Sequence, residues 1–446
     1  MQEPQTQKVG GKSMRAYQDL REFLSVLEQE QQLLRITDQV KFEPDLAAAA
    51  CALARMGENS PAIVFNNIAG CTNAQVAMNV HGSWPNHALA LGMSKDTPLR
   101  DQFFEFVRRF KQFPGELERV TTAPWQEVVA ENNVNLFDLM PLFRLNRGDG
   151  GFYIDKACIV SRDPDDWDND DVENVGCYRL MVKGPNRIGI QTVPQHDISV
   201  QLAHAEARGQ DLPIAIAVAN EPIILLMAAT PLLYNQLEYK MAAVMQGKPY
   251  RVVKTAKGLD VPYGSEYVLE GRLLARQREV EGPFGEFPGY YSGGHRYPVI
   301  EIDRVSHRKN PIFEAVYVGR PWTELDFLQA HKHTHLHPAQ PYVSRGYGGQ
   351  CALHARPRCH RVHESPLWRL RKNRRDGCAD NTPRAWLRQV CDRRRCRRRP
   401  VQSRSGHVGY LGAGQSGGRY SDHPQPCGKP ARSRWSAGRN GAQDDH

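Results

Sequence analysis

Between Leu328 and Gln329 the chain changes character, and that break limits what can fold as one body. Beyond it lie 24 of the 58 Lys and Arg but only 7 of the 49 Asp and Glu, a local net of +17. The first 328 residues keep a net of −8, so the formal +9 of the whole averages two unlike segments. Six of the ten cysteines and ten of the sixteen histidines also follow the break. The densest stretch, CDRRRCRRRP at 391–400, holds six arginines. A segment this rich in Arg, Gly, Ser and Pro cannot bury enough apolar surface to order itself, so 329–446 is expected to be disordered. The polar, aperiodic 1–13 is expected to be an unfolded leader, with Met14 the functional start. The folded core must then come from 14–328, which is long enough for two domains.

Within that body the periodicity divides again. Leu20, Phe23, Leu24 and Leu27 recur at helical spacing. LLRIT (33–37), PAIVFNNI (61–68) and QVAMNV (75–80) read as strands, and EPDLAAAACALARM (43–56) reads as a helix with Pro44 in its first turn. Alternating elements predict an α/β N-terminal domain over 14–125. Past Pro124 the runs ACIVSRD (157–163), CYRLMVKG (177–184), RIGIQTV (187–193), PIAIAVA (213–219) and YPVIEIDRVS (297–306) are β-type. SVQLAHAEARG (199–209) is a helix closing at Gly209. A β-rich, split-barrel domain over 126–328 is expected. GDGGFY (148–153) lacks the spacing of a nucleotide-binding loop and reads as a turn.

Two constellations carry chemistry. In EGPFGEFPGYYSGG (281–294), Glu281 and Glu286 flank Gly282, Pro283 and Gly285, so the stretch cannot be a regular helix. Two carboxylates on one tight loop can take different protonation states, or they can be solvated acids on a turn. Upstream, Asn174 and Arg179 in ENVGCYR, His196 in VPQH and Glu238 in YNQLEYK offer amide, imidazole and carboxylate donors that suit Mn²⁺ or Mg²⁺ better than zinc. Their plainer roles are a turn residue, a loop histidine and a surface acid on a helix. The four body cysteines lack CxxC spacing and read as free thiols of a reducing compartment. No apolar run approaches about 18 residues and no leader of secretory type is visible, so a cytoplasmic protein without a membrane span is expected.

The collinear stretches AYQDLREFL, EPDLAAAA, PAIVFNNI, NLFDLMPLFRLNRGDGGFYIDKACIVSRDP, NVGCYR, PQHDI, EGPFGEF and PIFEAVYVGRPWTELDFL resemble the UbiD family of decarboxylases. Within it they resemble one of the component subunits of the non-oxidative hydroxyarylic acid decarboxylases. The resemblance implies prenylated FMN as cofactor and a flavin prenyltransferase as its supplier. By resemblance, Asn174, His196 and Glu238 would hold Mn²⁺, while Cys177, Tyr178, Arg179, Gln195 and His196 would line the flavin. Arg179, Glu281 and Glu286 would form the catalytic trio, with Glu286 the proton donor, and K⁺ would sit near Met227, Ala228 and Thr230. The implied reaction takes a hydroxybenzoate (4-hydroxybenzoate, vanillate or similar) to the phenol and CO₂ in aromatic catabolism. A ubiquinone-pathway 3-polyprenyl-4-hydroxybenzoate decarboxylase is the alternative. The family also implies a homo-oligomer, which the altered C-terminal third puts in doubt.

The resemblance stops after WTELDFL (322–328). Synonymous codons for 386–409, displaced by one nucleotide, read GYAKFVIVDDVDVDPFNLAQVMW, a strand, an acidic turn and a helix start of family type. In-frame GTC and GAC, Val and Asp, become CGT and CGA, both Arg. A frameshift near residue 329 therefore accounts for the arginine run. The competing reading is a nucleic-acid-binding tail drawing on the +17 charge, but it lacks interleaved aromatics or a known module. HKHTHLH (331–337) lacks tetrahedral zinc spacing.

Overall fold

The computed structural model describes residues 15–329, apart from Asn73 and Asn235. The leader, the disorder of the tail and the two readings of 330–446 lie outside the described residues.

The helix Leu20–Gln29 forms where the spacing places it, with Leu20, Phe23, Leu24 and Leu27 buried. Asp19 caps it by accepting from the Glu22 N–H at 2.8 Å, which satisfies one of the donors a helix start leaves open. The helix Ala47–Met56 begins later than expected, after an irregular turn at Phe42–Leu46 in which Glu43 is extended (φ −124°, ψ 129°). The ring of Pro44 disfavours the helical region for the residue before it, which is why the helix cannot start at Glu43.

These helices accompany a four-stranded sheet in the order Leu33–Ile36, Ala62–Phe65, Gln75–Met78, Ile312–Ala315. Its last strand arrives from far along the chain and pairs in parallel, Ile312 opposite Gln75. The second sheet has nine strands. Eight run in the order Phe152–Ile154, Leu180–Gly184, Arg187–Ile190, His295–His307, Tyr267–Glu281, Leu212–Val218, Ala157–Arg162, Glu173–Gly176, and Val128–Ala130 pairs with His295–His307. Every pairing in it is antiparallel. Among the described residues nothing pairs its first strand with its last, so the hydrogen-bonded path stays open. Asp260–Pro262, Tyr250–Lys254 and Leu117–Val120 make a third, small sheet. The α/β start and the β-rich remainder are thus as the alternation predicts.

The central strands are almost wholly buried, Leu212–Val218 and Ala157–Arg162 among them. They therefore read as continuous apolar runs rather than alternating ones. Two helices cover the Glu173–Gly176 edge: Asp197–Ala207 and Glu238–Gln246 both pack on it. A third, Pro222–Ala228, packs against the Glu238 helix. Among the described residues, no helix is long and apolar enough to cross a membrane.

Candidate active site

One short segment, 173–179, threads the site together, and there the expected strand 177–184 breaks. Glu173–Gly176 stays in the sheet, with Asn174 opposite Ser161, and the ladder resumes only at Leu180. Between them the backbone turns to other partners. The Cys177 N–H donates to the Ala228 carbonyl at 3.1 Å, and Arg179 O accepts from Gln191 at 3.2 Å. Gly176 permits this fold-back, because a Cβ there would lie 2.3 Å from the Tyr178 hydroxyl.

At the end of the segment Arg179 meets both glutamates of the 281–294 stretch. Its Nε and Nη2 donate to the two oxygens of Glu281 at 3.0 and 2.7 Å, a bidentate fork, and Nη1 donates to Glu286. Paired N–H bonds of this kind are among the strongest in proteins and fix orientation as well as charge. Glu281 closes the long strand Tyr267–Glu281 and its side chain is fully buried, whereas Glu286 keeps 26% exposure. The reading of two solvated acids on a turn therefore fails. The guanidinium carbon lies 4.9 Å from the centre of the Phe284 ring. Burial works against the charge of Arg179, but the hydrogen bonds and charge of Glu281, then Glu286, outweigh it and raise its pKa. Beside them Tyr153 donates to the Pro283 carbonyl at 3.3 Å. Burial, and then Glu281, raise its pKa and keep it a phenol.

The second constellation lies along the same segment. Glu238 is the first residue of its helix and is buried, not a surface acid. It accepts from the Val175 N–H at 2.8 Å. Burial pushes its carboxyl up to about 8, against the Val175 bond and with a smaller push from Asp197. Asn174, next to Val175, is buried and donates to Ser161 Oγ at 3.4 Å. His196 stands at the N-cap of the Asp197 helix, its Nδ1 accepting from Val193 at 3.3 Å and its ring 5.1 Å from that of Tyr178. Gln195 is exposed in the preceding turn. Met227 and Ala228 end their helix with carbonyls that accept from Thr230 and Cys177, and the Thr230 hydroxyl donates to Leu226 O at 2.6 Å. The structure thus joins the trio by direct contact, stacks Tyr178 on His196, and bonds Glu238 to the strand that carries Asn174. A buried carboxyl beside an amide and an imidazole fits a divalent cation, since an ion would stabilise the ionised form that burial penalises.

Sequence reasoning did not single out Asp149, Tyr153, Phe284 or Ser292, all of which touch the trio or its loop. Nor did it find the buried ammonium of Lys156, held at 2.5 Å by both Glu314 and Glu324. Only GDGGFY offered a signal, and it was a signal of backbone conformation rather than of chemistry.

An open antiparallel sheet with a buried arginine between two glutamates, beside a buried Asn–His–Glu neighbourhood, is the arrangement expected of a flavin-assisted carboxy-lyase. The chain belongs to the UbiD family: residues 118–321 match its 3-octaprenyl-4-hydroxybenzoate carboxy-lyase Rift-related domain and residues 24–105 its N-terminal domain. It is 58% identical over 314 residues to a phenolic acid decarboxylase of Bacillus subtilis (strain 168), covering 70% of this chain and 66% of that protein. The phenolic acid decarboxylase of Escherichia coli O157:H7 is 55% identical over 315 residues, with the same coverage. The chain therefore spans just under two thirds of these relatives. Among solved structures, the closed form of Sedimentibacter hydroxybenzoicus vanillic acid decarboxylase is 50% identical, with a TM-score of 0.70 over 71% of this chain and 68% of that one. The UbiD-class enzyme HmfF of Pelotomaculum thermopropionicum, in complex with prFMN, is 29% identical with a TM-score of 0.63, over 71% of each chain.

Proposed function

We propose that residues 14–328 are the catalytic body of a non-oxidative decarboxylase that converts a hydroxybenzoate, such as 4-hydroxybenzoate or vanillate, to the phenol and CO₂. The observation that carries this reading is the buried contact of Arg179 with both Glu281 and Glu286. Loss of CO₂ leaves an electron pair on a ring carbon, and a proton must replace the carboxyl group there. Glu286 is the member of the trio with an open edge, so it can deliver that proton and regain one from solvent. Glu281, buried and bidentately paired, holds Arg179 in place, and Arg179 in turn holds Glu286.

Cys177, Tyr178, Arg179, Gln195 and His196 would line prenylated FMN, and Asn174, His196 and Glu238 would hold Mn²⁺, with K⁺ near Met227, Ala228 and Thr230. When bound, the flavin supplies the electron sink for the departing carboxylate's electrons. The HmfF neighbour, solved with prFMN, supports this cofactor. The same reading makes the nine-stranded sheet a split barrel within a cofactor domain over 126–328, following an N-terminal domain over 14–125. Relatives at 50–58% identity named for phenolic or vanillic acids favour a small aromatic acid over a polyprenylated one. A flavin prenyltransferase would supply the cofactor.

The metal assignment predicts that protein co-expressed with a flavin prenyltransferase carries Mn²⁺ and an absorbing flavin. Glu238→Ala should lose both together, read by metal analysis and visible absorbance. Full retention of flavin by Glu238→Ala would overturn the assignment.

A further inference from the structure

The turn at 146–151 is bonded to the glutamate loop across its whole width. Asp149, buried, accepts from the Gly285 N–H through Oδ1 and from the Asn146 N–H through Oδ2, both at 2.8 Å. Gly150 N–H donates to the Pro283 carbonyl at 2.7 Å, and Gly148 N–H donates to the Tyr291 hydroxyl at 3.0 Å. The fit leaves no room for side chains: a Cβ on Gly285 would lie 2.4 Å from Asn146 Nδ2, and one on Gly150 would lie 2.5 Å from the Gly282 carbonyl. Within the loop, Glu286 N–H donates to Tyr290 O at 2.8 Å, and Ser292 Oγ accepts from Phe284 N–H at 3.0 Å.

We infer that Asp149 is a positioning residue for Glu286. It binds the amide of the residue immediately before Glu286 and fixes the same carboxylate to its own turn. The loop is then pinned where Glu286 meets Arg179. Glu281 has no such need, because it belongs to a strand and takes the other side of the guanidinium. The acceptor must be a carboxylate, since both of its partners are N–H donors. An amide could accept only one of them and would turn its own NH₂ on the other. This role rests on Glu286 being the proton donor of the proposed reaction, but the contact that places it can be measured without flavin, metal or substrate.

The test uses the full chain with ¹⁵N-arginine, comparing wild type, Asp149→Asn and Asp149→Ala. The readouts are the Arg179 side-chain resonances and residue-resolved amide exchange. In Asp149→Ala the Gly285 and Glu286 amides should exchange at least about tenfold faster, the scale expected for losing one buried hydrogen bond. The Arg179 Nη resonance bonded to Glu286 should move to the averaged position of a free guanidinium, while the Nε resonance bonded to Glu281 stays. Asp149→Asn should fall between the two. An unmoved Nη resonance in Asp149→Ala would overturn the inference. So would loss of the Glu281-bonded resonance along with it, or failure of both variants to fold, since Asp149 would then support the fold and not one side chain. Absence of decarboxylation would count against the proposed reaction and leave this result standing.

Discussion

Glu286 and Glu281 differ less in chemistry than in what surrounds them. One ends a strand and has both oxygens on Arg179; the other sits on a loop, shares one contact and meets solvent. Glu286→Gln keeps the shape and removes the transferable proton. Flavin should remain bound while turnover falls by about 10²-fold or more, the usual contribution of a positioned acid. The check is phenol release in single-turnover and steady-state assays, and an unchanged rate would assign the proton to another group. At this scale the sequence named the acids but could not tell a solvated pair from a buried one. That distinction depends on Arg179, which lies about a hundred residues earlier and reaches the loop only through sheet pairing. Asn174, Glu238 and Tyr178 likewise meet their neighbours because two helix starts and a strand edge converge, and no local spacing encodes such a meeting.

Among elements, the helix Pro222–Ala228 starts on a buried acid. Glu221 accepts from the Ile223 and Ile224 N–H groups at 2.6 and 2.8 Å and from the Tyr250 hydroxyl at 2.9 Å. Burial outweighs those bonds and pushes its carboxyl up to about 7. A raised carboxyl pKa means that the folded state holds the proton more tightly than the unfolded one. The stability it contributes is complete below the ordinary carboxyl range and is lost as pH rises through about 7. Glu221→Gln has no proton to lose. Its thermal stability relative to wild type should improve between pH 5 and pH 8 by up to roughly 3 kcal/mol, measured by denaturation at both pH values. A constant difference across that range would show that Glu221 does not titrate there. Periodicity located most of the strands and the helices Leu20–Gln29 and Asp197–Ala207. It failed at 177–179, where an apolar run looks continuous but Cys177 leaves the ladder for Ala228. It also missed that Ile312–Ala315 completes the first sheet, because strand order is a long-range property.

For the whole molecule, the decisive feature is the boundary near residue 329. The match to the Bacillus and Escherichia relatives takes in 70% of this chain and 66% of theirs, as a change of reading frame near that point would produce. We propose that change as the origin of the arginine run, and sequencing the coding DNA around codon 329 checks it. In the family, the C-terminal third contributes to the dimer and to the active-site region, so its replacement should leave this chain poorly soluble or monomeric, with little turnover. The most direct test of the account compares two proteins, each co-expressed with a flavin prenyltransferase: the chain as written, and one from which a single nucleotide near codon 329 has been deleted. Both are given 4-hydroxybenzoate and vanillate, and phenol and CO₂ are quantified. The account predicts turnover, a defined oligomer and bound flavin from the frame-restored protein, with little or no turnover from the chain as written. No phenol from a folded, flavin-loaded, frame-restored protein would contradict the proposed reaction, and a stable, fully active dimer from the chain as written would contradict the change of frame.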